Sequence, residues 1–450
     1  MSNASFDSMA NNSRETARQV RQALDPGQLH LPEEMNFSCH NSGRCCEDFW
    51  EIPLDEESLA RLKSLPLSSI SPKYLDADHY TERGEGAQGG LALRRMSGRC
   101  IFLEPSRRCV IHANFGPAAK PQTCRDFPFR YVCTPGGVFV GLSMACPSVR
   151  ANRGRPLAEQ RQELADSFAR AHSVKAIADP IELSDGLPIQ FDTYLQIESC
   201  LNDLLVLETL SLDDRLIAGY VLLQLLERTV HERAPDAEAS TDARIQRLVQ
   251  LLGDDKYRRV IAIARKARGS ARLHRALIGL LITYRSAFDA RRRGRLGRTA
   301  YLLYQYVRHM GGLGSFRMPP LDERLSVWRL RAVRADWSDP YFVHTLTGFC
   351  LHSLFRKDAI VATPLLKGYG FLLVFVALIR WYALAYAATR GEGEVGRNDL
   401  DEAVGAVEKY YCLHTDFMRL FDQYPLLTGM VERLLARPAY APSVLRPKKP

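Results

Sequence analysis

No apolar run follows the initiator methionine of this 450-residue chain, which opens Met1-Ser-Asn-Ala-Ser5 and stays polar through Asn11-Asn-Ser-Arg14. A secretory signal needs such a run, so the cytoplasm is the expected compartment. Nor is there a clean membrane span. The strongest candidate, Gly368 to Ala388, contains Phe371–Ile379 but is interrupted by Arg380. A spanning helix needs about 20 apolar residues, so a buried core helix and no membrane span are expected. Familiar catalytic phrases are missing too: no P-loop, no His-Glu-x-x-His, no Ser/His/Asp order. There is no glycine-rich strand–turn–helix for a nucleotide-like methyl donor, and no Cys-x-x-x-Cys-x-x-Cys. The absence of a 34- or 40-residue self-similarity argues against a solenoid. Net charge is only +9, with 51 acids mixed among 60 bases, so nucleic acid is not the expected partner.

Cysteine, by contrast, is dense. Eight of the eleven fall between Cys39 and Cys146, in three phrases. These are Phe37-Ser-Cys-His-Asn-Ser-Gly-Arg-Cys45-Cys46, Gly98-Arg-Cys100-Ile-Phe-Leu103 and Cys124-Arg-Asp-Phe-Pro128. Cytosolic thiols are kept reduced, so a dense pattern there points to metal or catalysis rather than to disulfides. Adjacent Cys45 and Cys46 can hardly bridge one another without strain. Thiolates are soft ligands that select zinc, copper(I) or iron–sulfur clusters, and four of them close a structural zinc site or hold a [4Fe–4S] cluster. Cys39, Cys45, Cys46, Cys100, Cys109, Cys124 and Cys146 are therefore expected to converge as metal ligands. Cys133 sits mid-strand outside the phrases and reads as structural, and Cys200, Cys350 and Cys412 read as buried core thiols. His112, three residues after Cys109, offers an imidazole that reads as packing or support rather than as a ligand. Arg125 is placed to donate toward cluster sulfurs or to pair with Asp126.

The order and wording of these phrases resemble the YkgJ-like cysteine-cluster family, a zinc- or iron-chelating domain. Its members open with Cys-x-x-Cys-x-x-Cys-Cys, continue with Gly-x-Cys-x-Phe-Leu and a nearby Cys, and close with Cys-Arg-x-Phe-Pro and a Cys-Pro. Cys39, Cys45, Cys46, Gly98, Cys100, Phe102, Leu103, Cys109, Cys124, Arg125, Phe127, Pro128, Cys146 and Pro147 fall on that pattern, over roughly residues 35–150. Ser42 stands where the opening group has its second Cys, which limits that group to three thiolates. The long helical remainder gives a narrower likeness, to the bacterial flagellin lysine-N-methylases. That likeness implies a lysine methyltransferase using S-adenosylmethionine on a protein substrate such as flagellin.

The chain is expected to be mainly α: a polar lead-in over 1–35, a cysteine-rich α+β metal-binding module over 36–150, a multi-helix domain over 151–440 and a polar tail over 441–450. Within the module, Leu59, Leu62 and Leu65 predict a short helix behind an acidic first turn, with a loop over Asp76–Gly90. Leu91–Leu93 predicts a strand, and Phe129–Cys133 with Val138–Leu142 a hairpin around Pro135-Gly136-Gly137. From about residue 155 the pattern is helical throughout. Ser211 separates two helices, Asp339-Pro340 starts another, and Leu400, Val404, Val407 and Tyr411 form a stripe. Further helices are predicted around Ile245–Leu252 and from Thr415 to Pro425. The arginines of 291–298 read as a solvated inter-helix loop. Glu47-Asp48 reads as a turn cap, and Asp213-Asp214 and Asp254-Asp255 as helix-start acids.

Overall fold

The computed structural model describes residues 25–47, 51–84, 90–171, 173–231, 243, 245–246, 254–286, 295–312, 315–318, 321–412, 433–435 and 437–446. The lead-in before residue 25, Asp48, most of the stripe around Ile245, Arg291–Arg293, the Thr415–Pro425 helix and the last four residues lie outside them. The chain is mainly α and divides into two compact units, Met1–Ile177 and Ala178–Pro450.

The first unit is built on a four-stranded sheet with order β1-β3-β2-β4, where β1 is Leu29–His30, β2 Phe129–Thr134, β3 Gly137–Leu142 and β4 Val174–Ala176. The expected hairpin is β2–β3, registered Phe129↔Leu142 through Thr134↔Gly137. Gly137 closes it at φ +121°, and a side chain there would meet the carbonyl of Gln28. Helix α1 (Glu56–Ser64) has the predicted start, with Asp55 accepting from Ser58 N at 2.5 Å and Glu56-Glu57 in the first turn. Short helices α2 (Val110–Phe115), α3 (Gln122–Asp126) and α4 (Pro147–Arg150) carry the cysteine phrases, and α5 (Arg161–Arg170) buries Leu164 and Phe168 against the sheet core. That packing, with the parallel pairing of β4 on β2, carries the first unit to Ile177. The boundary expected at 150 therefore falls inside it.

The second unit is a helical assembly of α6 (Phe191–Val206), α7 (Leu212–His231), α8 (Asp254–Lys266), α9 (Ala271–Ser286), α10 (Arg295–Met310), α11 (Pro340–Phe355), α12 (Leu365–Arg390), α13 (Arg397–Val407) and α14 (Tyr440–Leu445). Ser211 does separate α6 from α7, accepting from Asp214 N. Asp339 caps α11, with Pro340 in its first turn. The stripe Leu400, Val404, Val407 and Tyr411 is buried, although the last member lies in a π turn, Glu408–Cys412. Helicity is not continuous. Ile181–Ser184 pairs with Leu187–Ile189 across Asp185-Gly186, Gly186 taking φ +76°. Ile181, Leu183, Leu187 and Ile189 point inward while Pro188 is exposed, which is the alternation of a strand. A second hairpin pairs Ser315–Met318 with Leu321–Ser326.

Among the described residues, α12 alone is long and apolar enough to cross a membrane, with mean hydropathy 1.9 over its central window. Its window is 83% buried in protein, as a core helix requires. Gly368 lets it approach the carbonyl of Ala359 more closely than any side chain would allow. Arg380, the residue that breaks the apolar run, pairs with Asp213 at 2.7 Å and lies over the Trp337 ring. Asp213 and Asp214 also pair with Arg446, so these acids tie helices together as well as starting α7.

Two buried cations follow α11. Arg356 donates to both carboxylate oxygens of Glu408 (2.6 and 3.0 Å) and to Asp358 (2.9 and 2.5 Å). Lys357, at φ +61°, donates to Glu198 at 2.6 Å, and Tyr194 donates to the same carboxylate. Burial costs each charge, and its partners restore the balance only while they are present. Glu408→Ala should therefore destabilise the protein by about 3–5 kcal/mol in urea unfolding, far more than Glu408→Gln. A loss below about 1 kcal/mol, the range of exposed pairs, would contradict this reading.

Candidate metal centre

Each cysteine phrase is bent by local chemistry before it meets the others. Cys39 is exposed, just beyond the short strand Asn36–Phe37. Gly43, at φ +69°, starts the 3-10 turn Arg44–Cys46, and Cys46 N donates to its carbonyl at 2.9 Å. Cys100 pairs with Arg95 in a two-residue ribbon, and Leu103 bridges Cys109. Cys109 is the N-cap of α2, where the backbone N–H groups of His112 and Ile111 help to lower its thiol. Cys124 lies within α3. Cys146 occupies the N-cap position of α4.

The sulfurs meet at Cys46. Its buried thiol makes hydrogen-bond contact with those of Cys100, Cys109 and Cys45, and the Cys45–Cys46 sulfurs are 3.8 Å apart. Either sulfur of the Cys45–Cys46 pair can be the donor. Those contacts push the Cys46 thiol strongly up, and they pull Cys45 down to about 7 and Cys109 to about 6. The N-terminal position of Cys109 on α2 adds to its depression. Cys45, Cys46, Cys100, Cys109 and Cys124 pack in one apolar cluster with Phe102, Ile101 and Leu62.

Cys124 is raised chiefly by burial, with Lys120, Cys100, Cys45 and Cys109 the charges that act on it. Cys146 belongs to the neighbouring sheet core and is raised by burial, with Cys45 also acting on it. Lys120 sits amid this group. Burial opposes its charge, yet Cys124, Cys45, Cys39 and Cys109 raise it overall. Lysine reads as a solvated surface residue in sequence, so nothing marked this one.

Two further features hold the loops together. The Glu47 carboxylate accepts from Arg107 at 2.8 and 2.6 Å and lies 3.7 Å from Arg44 and 4.0 Å from Arg99. It is held below the usual carboxylate range by the Arg107 hydrogen bonds. Glu47 follows Cys46, Arg99 precedes Cys100, and Arg107 stands two residues before Cys109, so one carboxylate clasps three cysteine segments. The expected turn-capping role gives way to this clasp. Gly43 is the second feature, because a side chain there would overlap the Arg107 carbonyl.

The remaining candidates are placed as follows. Arg125 is lowered by burial and by Arg61 and Arg170, with Asp126 acting in the opposite sense. Asp126 accepts from Gln122 at 2.6 Å. His112 is depressed by burial, and its buried Nδ1 has no hydrogen-bond partner. Cys133 is fully buried in the sheet core. Cys200 contacts the Tyr257 hydroxyl, and Cys350 is buried in α11. None of the eleven cysteines is joined in a disulfide.

No three or more His, Cys, Asp or Glu side chains among the described residues are already disposed as ligands around one point. The sulfurs face one another in hydrogen bonds. Even so, the set suits a soft metal in donor type, and one pair has the spacing of two thiolates on one ion. With metal–sulfur bonds of about 2.3 Å, the edge of a tetrahedral thiolate site is about 3.8 Å, which matches the Cys45–Cys46 separation. In a [4Fe–4S] cluster each thiolate binds a different iron, and the sulfurs stand farther apart. Comparison with protein-family models, curated proteins and solved structures gives no match to this chain. The likeness to the cysteine-cluster family thus rests on the motif residues themselves.

Replacing Gly43 by Ala combines the left-handed backbone penalty of roughly 1–2 kcal/mol with overlap against Arg107. We expect Gly43→Ala to expose the Cys45, Cys46 and Cys109 thiols to a disulfide reagent in dilute urea that leaves the parent protein protected. Equal protection in both proteins would contradict this.

Proposed function

We propose that the first unit is a metal-binding module in which the thiolates of Cys45, Cys46, Cys100 and Cys109 hold a zinc ion, with Cys39, Cys124 and Cys146 gathered about them. The observation that carries the reading is the Cys46 thiol in contact with three other thiols, drawn from segments 45, 100 and 109. A zinc ion would bind all four sulfurs at once, where an S–H···S contact joins only two.

The chain's own residues prepare that role. The N–H groups at the start of α2 favour the Cys109 thiolate. The Glu47 clasp holds three segments in register, and the Lys120 ammonium offsets part of the negative charge that four thiolates leave on a divalent ion. Because the loops that carry the sulfurs are short, binding would couple to folding. The role is structural, and it suits a reducing compartment such as the cytoplasm. Methyl transfer to a lysine of a protein such as flagellin rests on the resemblance alone, and no contact among the described residues adds to it.

Protein purified without oxygen should contain zinc and no acid-labile sulfide. A chelator should lower the melting temperature of the first unit, and Cys100→Ser should lose that chelator sensitivity. Iron with stoichiometric sulfide would replace zinc by a cluster, and protein free of metal with unchanged melting would overturn the reading.

A further inference from the structure

Helix α10 is amphipathic in the reverse of the usual sense. A surface helix normally turns its apolar stripe to the core and its polar side to water. Here Leu303, Tyr304 and Val307 are 62%, 55% and 59% exposed, and Gly297, Ala300 and Gly311 are exposed with them. Gln305 and His309 lie on the half-buried side, where His309 packs against Gly279 of α9, the helix that α10 lies along. Apolar side chains scattered singly over a surface need no explanation, but several on one helix face mark an interaction site.

The spacing on that face fits another helix. Ala300, Leu303, Val307 and Met310 recur at steps of three, four and three, the seam of paired helices. The positions flanking the seam, Tyr304, Tyr306 and Gly311, are uncharged, and Arg308 lies over the Tyr304 ring. Charges at the flanks select an unlike partner and reject a copy of the same helix. Without them, two copies meet along the seam without repulsion. Side-chain size is graded along the face as well. Gly297 and Ala300 leave the N-terminal end shallow, whereas Val307 makes the C-terminal end bulky. Trp328, 79% exposed, adds to that bulk: it stands one turn before Arg331 on the short helix Val327–Ala332, and Arg331 lies against Gly312, two residues past α10.

We propose that α10 pairs antiparallel with α10 of a second copy of this chain, about a two-fold axis at Leu303. Val307 of each copy then meets Ala300 of the other, the Trp328 end lies over the shallow Gly297 end, and the two helix dipoles oppose. A helix of 16 residues is about 24 Å long, so the pair sits at the small end of specific interfaces, near or below about 1,200 Å². A reversible dimer that forms with rising concentration is the expected form.

Sedimentation equilibrium on the full-length chain, kept reduced, tests this. The weight-average mass is expected to rise from one chain toward two as concentration increases. Leu303→Asp, at an exposed position, should keep the melting temperature and weaken the dimer by about tenfold or more. Ala300→Asp alone and Val307→Lys alone should weaken it likewise. The two together in one chain should restore it, because antiparallel pairing sets each aspartate against a lysine of the other copy. A double variant that stays monomeric would overturn the antiparallel arrangement. A dimer that Leu303→Asp leaves unchanged would overturn α10 as its interface. A monomer at every concentration would overturn the proposal outright, and binding of that monomer to phospholipid vesicles would give the face to a membrane surface instead. The mass of the unsubstituted protein decides the matter even where a variant fails to fold.

Discussion

The contact around which the cysteine-bearing segments of the first unit gather is the Cys46 thiol, surrounded by three other sulfurs. Its neighbours arrive from a 3-10 turn, a two-residue ribbon and the cap of a six-residue helix, none of which is stable alone. Short loops of this kind lose as much conformational freedom on folding as longer elements but bury less apolar surface. The polar clasp at Glu47 and the close approach at Gly43 supply register. Neither supplies much cohesion, since Arg44, Arg99 and Arg107 are all substantially exposed and such pairs are weak. Cohesion comes from the apolar cluster around Phe102 in which the sulfurs pack.

The second unit solves the same problem by ordinary means. Helix α12 is buried on nearly every face, and each fully buried large apolar side chain contributes about 1.5–3 kcal/mol. Its polar exceptions are matched. Arg380 finds Asp213, Arg356 finds Glu408 and Asp358, and Lys357 finds Glu198. Those pairs join α6, α7, the end of α11 and the π turn after α13. They specify which helix lies where more than they add stability, because desolvation offsets much of their attraction.

Much of this was legible in sequence wherever one residue type carries one physical meaning. The cysteine phrases announced thiols that gather near Cys46, Asp339-Pro340 a helix start, and Arg380 a helix that belongs in a protein core. What was not legible depended on partners distant in the chain. Lys120 looks like any surface lysine until the fold sets four thiols around it. Glu47 looks like a cap until Arg99 and Arg107 arrive from more than fifty residues away. The hairpin at Ile181–Ile189 was missed although Asp185-Gly186 marks its turn, because helical periodicity on its C-terminal side dominated the reading. The module's end was misplaced because β4 earns its position only by pairing with β2.

The central claim is that thiolates from separate segments share a metal. X-ray absorption at the zinc edge, on full-length protein purified without oxygen, tests it most directly. The account predicts a first shell of four sulfurs at about 2.3 Å and no light atoms. A shell of nitrogen or oxygen at about 2.0–2.1 Å, or no zinc to measure, would contradict it.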